Sequence, residues 1–298
     1  MATVTDIGLR DGYADLGEVR LHYVEAGPGE GPPVVLLHGF PEFWYGWRHQ
    51  IPALTEAGFR AIAPDMRGYN LSSKPAEVSA YALRRLAGDI RDLIRERGLQ
   101  RACLVGHDWG AAVAWVLAMA HPDVVERLAI LNAPHPRRML EALRRPGRQL
   151  AKSWYMFFFQ LPGLPERAVR AGDWRGLRYG FEQDARPGAF TPADIERYRE
   201  AWSQPGAATA TINYYRASMR RPRRAASGGG GGSFAPVTAP TLVIWGEHDR
   251  YLSSSLAEPS RDDVPGLERV VRLPEASHWV QHDEPDRVSE LLIAHFKP

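Results

Sequence analysis

A chain of 298 residues, 44% of them hydrophobic, can bury a full core as one large domain or as a core with an insertion. A net charge of only +2 supplies no field for nucleic acid, and the single cysteine, Cys103, excludes an internal disulfide framework. No apolar run of about 18 residues marks a membrane span, and the first residues lack a secretory pattern, so a soluble cytoplasmic protein is expected.

The first half alternates strand-like and helix-like segments. Residues 19–25 read as a strand, followed by a Gly/Pro turn over 27–33. Short buried strands are predicted at 34–37 and 60–63, the latter stopped by Pro64. Leu86, Ile90, Leu93 and Ile94 give 83–97 a helical period. The apolar run 101–105 reads as a buried strand with an inert Cys103 inside it, 111–120 as a buried helix and 128–131 as a further strand. From Asn132-Ala-Pro-His-Pro136 to about residue 216, strand-like runs give way to aromatics and arginines. Strand character returns at 241–245 and 270–273, and 287–296 reads as a final helix.

Alternating βα units predict an α/β fold, a mostly parallel sheet flanked by helices on both faces. A helical insertion between two stretches of such a core is placed to cap a site. Arg220, Arg221, Arg223 and Arg224 have no interleaved aromatics and read as a solvated connector, with no nucleic-acid partner implied. Residues 228–233, five glycines and a serine, read as a flexible linker.

The chemistry concentrates at Gly106-His-Asp-Trp-Gly110, between the strand at 101–105 and the helix at 111–120. A glycine-flanked nucleophile at a strand-to-helix bend resembles the elbow of α/β-hydrolases, which lifts one side chain above the sheet. Here that side chain is Asp108, where such enzymes usually carry serine. A carboxylate attacking an ester gives an anhydride and gains little. Attack on a saturated carbon bearing a leaving group gives an ordinary ester that water can cleave. Epoxides and alkyl halides are such substrates.

Cleaving that ester needs a base, and the order in these folds is nucleophile, acid, histidine. Asp249, just after the strand ending at Trp245, is the expected acid, with Glu247 as the alternative. His278, in a loop after the last strand, is the expected base, with His248 and His282 as competitors. His107 should point away from the nucleophile along its strand and serve packing or hydrogen bonding. An oxyanion hole is expected from the backbone N–H groups of Phe40 and Trp109. Outside 247–249, His, Asp and Glu do not cluster at ligand spacing, so neither metal nor cofactor is expected.

Together, HGFPEFWYGWR at 38–48, GHDWGA at 106–111, the Gly-Glu-x-Asp run ending at Asp249 and His278-Trp279 resemble the α/β-hydrolase-fold epoxide hydrolases over nearly the whole chain. The resemblance implies a cis Phe40–Pro41 peptide, a small apolar epoxide as substrate, and two tyrosines of the insertion that meet the epoxide oxygen. Tyr155 matches the first by its spacing from Gln160 and Pro162, and Tyr215, just before Arg216, matches the second. Tyr214 is the neighbouring alternative. Phe40, Trp109, Trp154, Tyr155 and Tyr215 are then the substrate-binding set. The implied domains are a core at 1–134 and 236–298, a helical cap (lid) at 135–225 and a Gly-rich linker at 226–235. A haloalkane or haloacid dehalogenase would share Asp108, His278 and Asp249, although Phe40 stands where many dehalogenases have asparagine. Fluoroacetate-type dehalogenases follow the nucleophile with arginine, where this chain has Trp109. A non-catalytic ligand-binding protein on the same scaffold is the third reading. Monomer and homodimer are both open.

Overall fold

The computed structural model describes residues 7–220 and 234–297, so the expectations placed on the 228–233 linker and on Arg221, Arg223 and Arg224 lie outside the described residues. Eight strands form one sheet: β1 (Arg10–Asp15), β2 (Arg20–Ala26), β3 (Pro33–Leu37), β4 (Arg60–Pro64), β5 (Ala102–His107), β6 (Val125–Leu131), β7 (Thr241–Gly246) and β8 (Leu267–Leu273). Their spatial order is β1-β2-β4-β3-β5-β6-β7-β8. β2 runs antiparallel to both β1 and β4, and every other pairing is parallel.

The inner strands β3, β5 and β7 are short, nearly continuous apolar runs because both faces of the sheet are covered. On one face lie α2 (Leu83–Glu96) and α3 (Trp109–Ala120), with Trp115 and Trp245 among the fully buried side chains. α2 buries Leu86, Ile90, Leu93 and Ile94 and turns its arginines outward, as its period requires. On the other face lie α1 (Gln50–Glu56) and α10 (Pro285–Phe296), around Trp47, Leu54 and Leu292.

β1 and α1 were not expected from the sequence. β1 is an edge strand of largely exposed, polar residues without a clean alternation, and α1 is only seven residues long with Pro52 inside it.

Between β6 and β7 the chain leaves the sheet for α4 (Pro136–Arg144), α5 (Arg148–Lys152), α6 (Trp154–Phe158), α7 (Leu164–Tyr179), α8 (Pro192–Trp202) and α9 (Ala207–Met219). α7 is broken at residues 171–174, where Gly172, Asp173 and Trp174 take positive φ. The insertion is tied to the core by buried donors. Trp202 Nε1–H donates to the Pro41 carbonyl at 2.6 Å, Trp279 Nε1–H to Gly180 at 2.8 Å and Tyr214 O–H to Arg67 at 2.6 Å. Tyr45 O–H donates to the Asp194 carboxylate at 2.8 Å. Among the described residues, no helix is long and apolar enough to cross a membrane.

Because β3, β5, β6, β7 and β8 are parallel, their carboxyl ends open on one edge of the sheet, the usual place for a site in such folds. The loops at 38–41, 108, 132, 247–249 and 274–278 all follow those ends.

Candidate active site

β5 ends at His107, and Asp108 bends the chain into α3 with φ 49° and ψ −116°. Few side chains tolerate that conformation, and such strain persists only where the surroundings hold it. The glycines explain how. A Cβ on Gly110 would lie 2.1 Å from the Leu37 carbonyl oxygen, and one on Gly106 would lie 2.6 Å from the Ala111 nitrogen. The bend therefore packs against β3 with no room for side chains.

A Cβ on Gly39 would in turn lie 2.5 Å from the Asp108 Cβ, so the 38–41 loop lies directly on the bend. In that loop the Phe40–Pro41 peptide is cis. The Phe40 N–H donates to Asp108 Oδ2 at 2.9 Å. Trp109 stands at the first position of α3, where backbone N–H groups have no intrahelical partner.

A second pair, His278 and Asp249, stands at the same edge of the sheet. His278 Nδ1–H donates to Asp249 Oδ2 at 2.7 Å, and both side chains are buried. Asp249 also accepts from Asn132 Nδ2 at 2.8 Å and from the backbone N–H groups of Tyr251 at 2.7 Å and Leu252 at 2.8 Å. Burial favours a protonated Asp249, but the His278 charge and these donors outweigh it and hold the carboxyl below its ordinary range. For His278, burial disfavours the cation, while the charge and hydrogen bond of Asp249, and then the charge of Asp108, raise it to about 9.

The sequence competitors are engaged elsewhere. Glu247 accepts from Arg272 at the surface at 2.7 Å, and His248 is exposed. His282 lies between Arg48 Nη1 and Glu42 Oε1, each 2.7 Å away, and burial with the Arg48 charge lowers it to about 3. His107 serves hydrogen bonding. Its Nδ1 lies 3.0 Å from the Glu42 carboxylate and its Nε2 2.9 Å from the His278 carbonyl. Cys103 is buried, and burial pushes its thiol up to about 12.

From the insertion, Tyr155 on α6 and Tyr215 on α9 face each other edge-on, ring centroids 5.7 Å apart. With Asp108, His278 and Phe40 they line one cavity of about 480 Å³, the size of an ordinary small-molecule pocket. Neither phenol donates a hydrogen bond to a protein acceptor among the described residues. Tyr214, the alternative, is different: its O–H is spent on the Arg67 carbonyl inside the core. Burial, and then neighbouring groups including the Asp108 charge, push both Tyr155 and Tyr215 above the ordinary phenol range, so each stays a donor.

Trp154 stands at the mouth of the cavity, 65% exposed. Trp109, expected at the substrate surface, instead underlies it: its ring packs edge-on against Tyr215 at 5.0 Å and Tyr214 at 5.6 Å.

Three site residues escaped the sequence reading. Glu42 is fully buried against His107, His282 and Gln281 Nε2, and a carboxylate in the otherwise aromatic 40–47 run was its signal. Asn132, with φ 41°, donates to Asp249 and accepts from Gly246 N at 2.9 Å, thereby joining the ends of β6 and β7. Tyr251 packs its ring edge-on against His278 at 5.1 Å. Nothing in the sequence marked either of these two.

The sequence pattern of the family described as alpha/beta hydrolase fold matches residues 32–285. The AB hydrolase superfamily protein YfhM of Bacillus subtilis is 42% identical over 97% of this chain and 99% of its own length. Epoxide hydrolase 4 of Mus musculus is 38% identical over 94% of this chain and 77% of its own. The crystal structure of the Bacillus megaterium epoxide hydrolase in complex with an inhibitor superimposes with a TM-score of 0.84, at 31% identity, over 95% of this chain and 99% of that one.

Proposed function

The chain belongs to the epoxide hydrolases of the α/β-hydrolase fold, and from that premise we propose that it converts epoxides to vicinal diols through an ester on Asp108. The observation that carries this reading is the pair of phenols, Tyr155 and Tyr215, in the cavity that holds Asp108, neither of which donates to a protein group among the described residues. A halide leaving group calls for N–H donors. An epoxide oxygen leaves as an alkoxide and calls for acids.

In the first step an Asp108 oxygen attacks an epoxide carbon, and the carbon–oxygen bond breaks as Tyr155 and Tyr215 donate to the departing oxygen. Placing nucleophile and acids in one cavity makes this a near-attack arrangement. The product is a hydroxyalkyl ester. In the second step His278 Nε2 takes a proton from water, whose oxygen attacks the Asp108 carbonyl carbon. The Phe40 and Trp109 N–H groups stabilise the resulting oxyanion; as it collapses, the imidazolium gives its proton to the departing diol oxygen, and the proton left on Asp108 returns to the phenolate, which restores the carboxylate and the phenol.

The charges favour this order. While Asp108 is charged it helps to hold His278 at about 9, largely as the cation. Esterification removes that charge, the smaller of the two carboxylate contributions, and so eases loss of the proton when the ester is there to be hydrolysed, while the larger Asp249 contribution stays. Asp249 keeps Nδ1 protonated and aims Nε2 at the cavity.

On this reading residues 135–225 are the lid that supplies the acids and encloses an apolar substrate, and 226–235 returns the chain to the core. Incubation with a terminal aryl epoxide and, separately, with a bromoalkane tests it. Diol release from the first without bromide release from the second is expected. Bromide release alone would make the protein a dehalogenase.

A further inference from the structure

Eight large apolar side chains are exposed among the described residues, and six of them sit on the insertion. Trp154, Phe157, Leu161 and Leu164 fall in one run of the chain, and Leu164 is 52% exposed. Met219 adjoins them through Gln160, whose Nε2 lies 3.4 Å from its sulfur. Tyr179 lines the same cavity mouth as Trp154. Exposed large apolar side chains gathered on one part of a protein mark a contact with something.

The charge around the lip says what. Between residues 144 and 180 stand eight basic residues and two acidic ones, Glu166 and Asp173. Glu166 is already held by Arg216 at 2.6 Å, and Asp173 by Arg178 and Arg199. Arg144, Arg145, Arg148, Arg167, Arg170 and Arg175 are exposed, and none forms an ion pair among the described residues. A second copy would bring the same arginines face to face across a twofold contact, where they repel. An anionic lipid surface satisfies both features at once, with apolar tips at the headgroup boundary and arginines on the phosphates.

We propose that the apolar, arginine-rimmed lip of the insertion docks this protein on an anionic membrane surface, with the cavity mouth toward the lipid. An apolar substrate dissolved in the bilayer would then enter without crossing water. That last clause rests on the epoxide reading, whereas the docking does not.

The full chain is sedimented with vesicles of phosphatidylcholine alone and of phosphatidylcholine mixed with phosphatidylglycerol, at low and high salt. Binding to the anionic vesicles only, weakened by salt, is expected. Arg167→Glu/Arg170→Glu should weaken that partitioning by at least about twentyfold, and Leu161→Ser/Leu164→Ser should also reduce it. Both variants should turn over a small water-soluble epoxide as the parent does, which shows that they are folded. Failure of the parent to turn over any epoxide would count against the epoxide reading and leave the vesicle result standing. A parent that ignores anionic vesicles, or variants that bind as the parent does, would overturn the docking. So would self-association of the parent that the leucine substitutions abolish, since the lip would then serve a second copy.

Discussion

On the sheet side of the cavity, Asp249 accepts four hydrogen bonds and Asp108 is clamped by the Phe40 N–H and by glycines with no space for a Cβ. On the insertion side, Tyr155 and Tyr215 stand edge-on to each other and donate to no protein group among the described residues. The sheet side is over-determined, as groups that must hold a fixed geometry are. On the proposed reading the insertion side keeps its donors for a ligand. Precision belongs to the parallel sheet and its loops, and adaptability to the helices laid across it.

The largest effect should come from loosening the sheet side. Asp249→Asn keeps the shape but removes the charge that fixes the His278 tautomer, so turnover should fall by about 10⁴-fold while ester formation on Asp108 persists. Rapid-quench measurement of ester against diol separates the two steps. An equal loss in both would mean that Asp249 supports Asp108 rather than His278.

Next comes the insertion side. Tyr155→Phe with Tyr215→Phe should slow ester formation by about 10²–10⁴-fold, since an unassisted alkoxide is a poor leaving group. Hydrolysis of an ester already formed should be spared. Tyr214→Phe sharpens the contrast between neighbours. Its hydroxyl serves the buried Arg67 carbonyl, so its loss should cost about 1 kcal/mol in stability and leave turnover intact. Chemical denaturation and a turnover assay check both halves of that expectation.

The smallest effect is one of pH. A base acts when neutral, so ester hydrolysis should slow as pH falls through the His278 value of the esterified protein. That value should lie below the free protein's value of about 9, because esterification removes the Asp108 charge. Single-turnover decay of the ester across pH measures it. A midpoint at or above 9 would mean that the Asp108 charge does not govern His278.

The parallel part of this fold was legible because buried strands are short apolar runs, and the spacing of Gly106 and Gly110 about Asp108 was enough to mark the bend and the side chain at its tip. The expected strands at 34–37, 60–63 and 241–245 sit within one residue of β3, β4 and β7. β1 escaped because an exposed edge strand carries no alternation to read. Asn132 and Glu42 escaped for another reason: each acts on a partner more than 60 residues away, and only the shared edge of the sheet brings them together. Tyr214 and Tyr215 show the limit most plainly. They are sequence neighbours with the same side chain, and they differ only in whether the hydroxyl meets a carbonyl or a cavity. No local pattern separates them, so the preference for Tyr215 came from the resemblance to known epoxide hydrolases.

The division of labour between Asp108 and His278 is tested most directly by intact-protein mass spectrometry of His278→Gln after exposure to a terminal aryl epoxide. The account predicts a stable adduct equal to the whole epoxide, mapped by peptide analysis to Asp108, because the ester forms and has no base to cleave it. An unmodified protein, or an adduct on any residue other than Asp108, would contradict it.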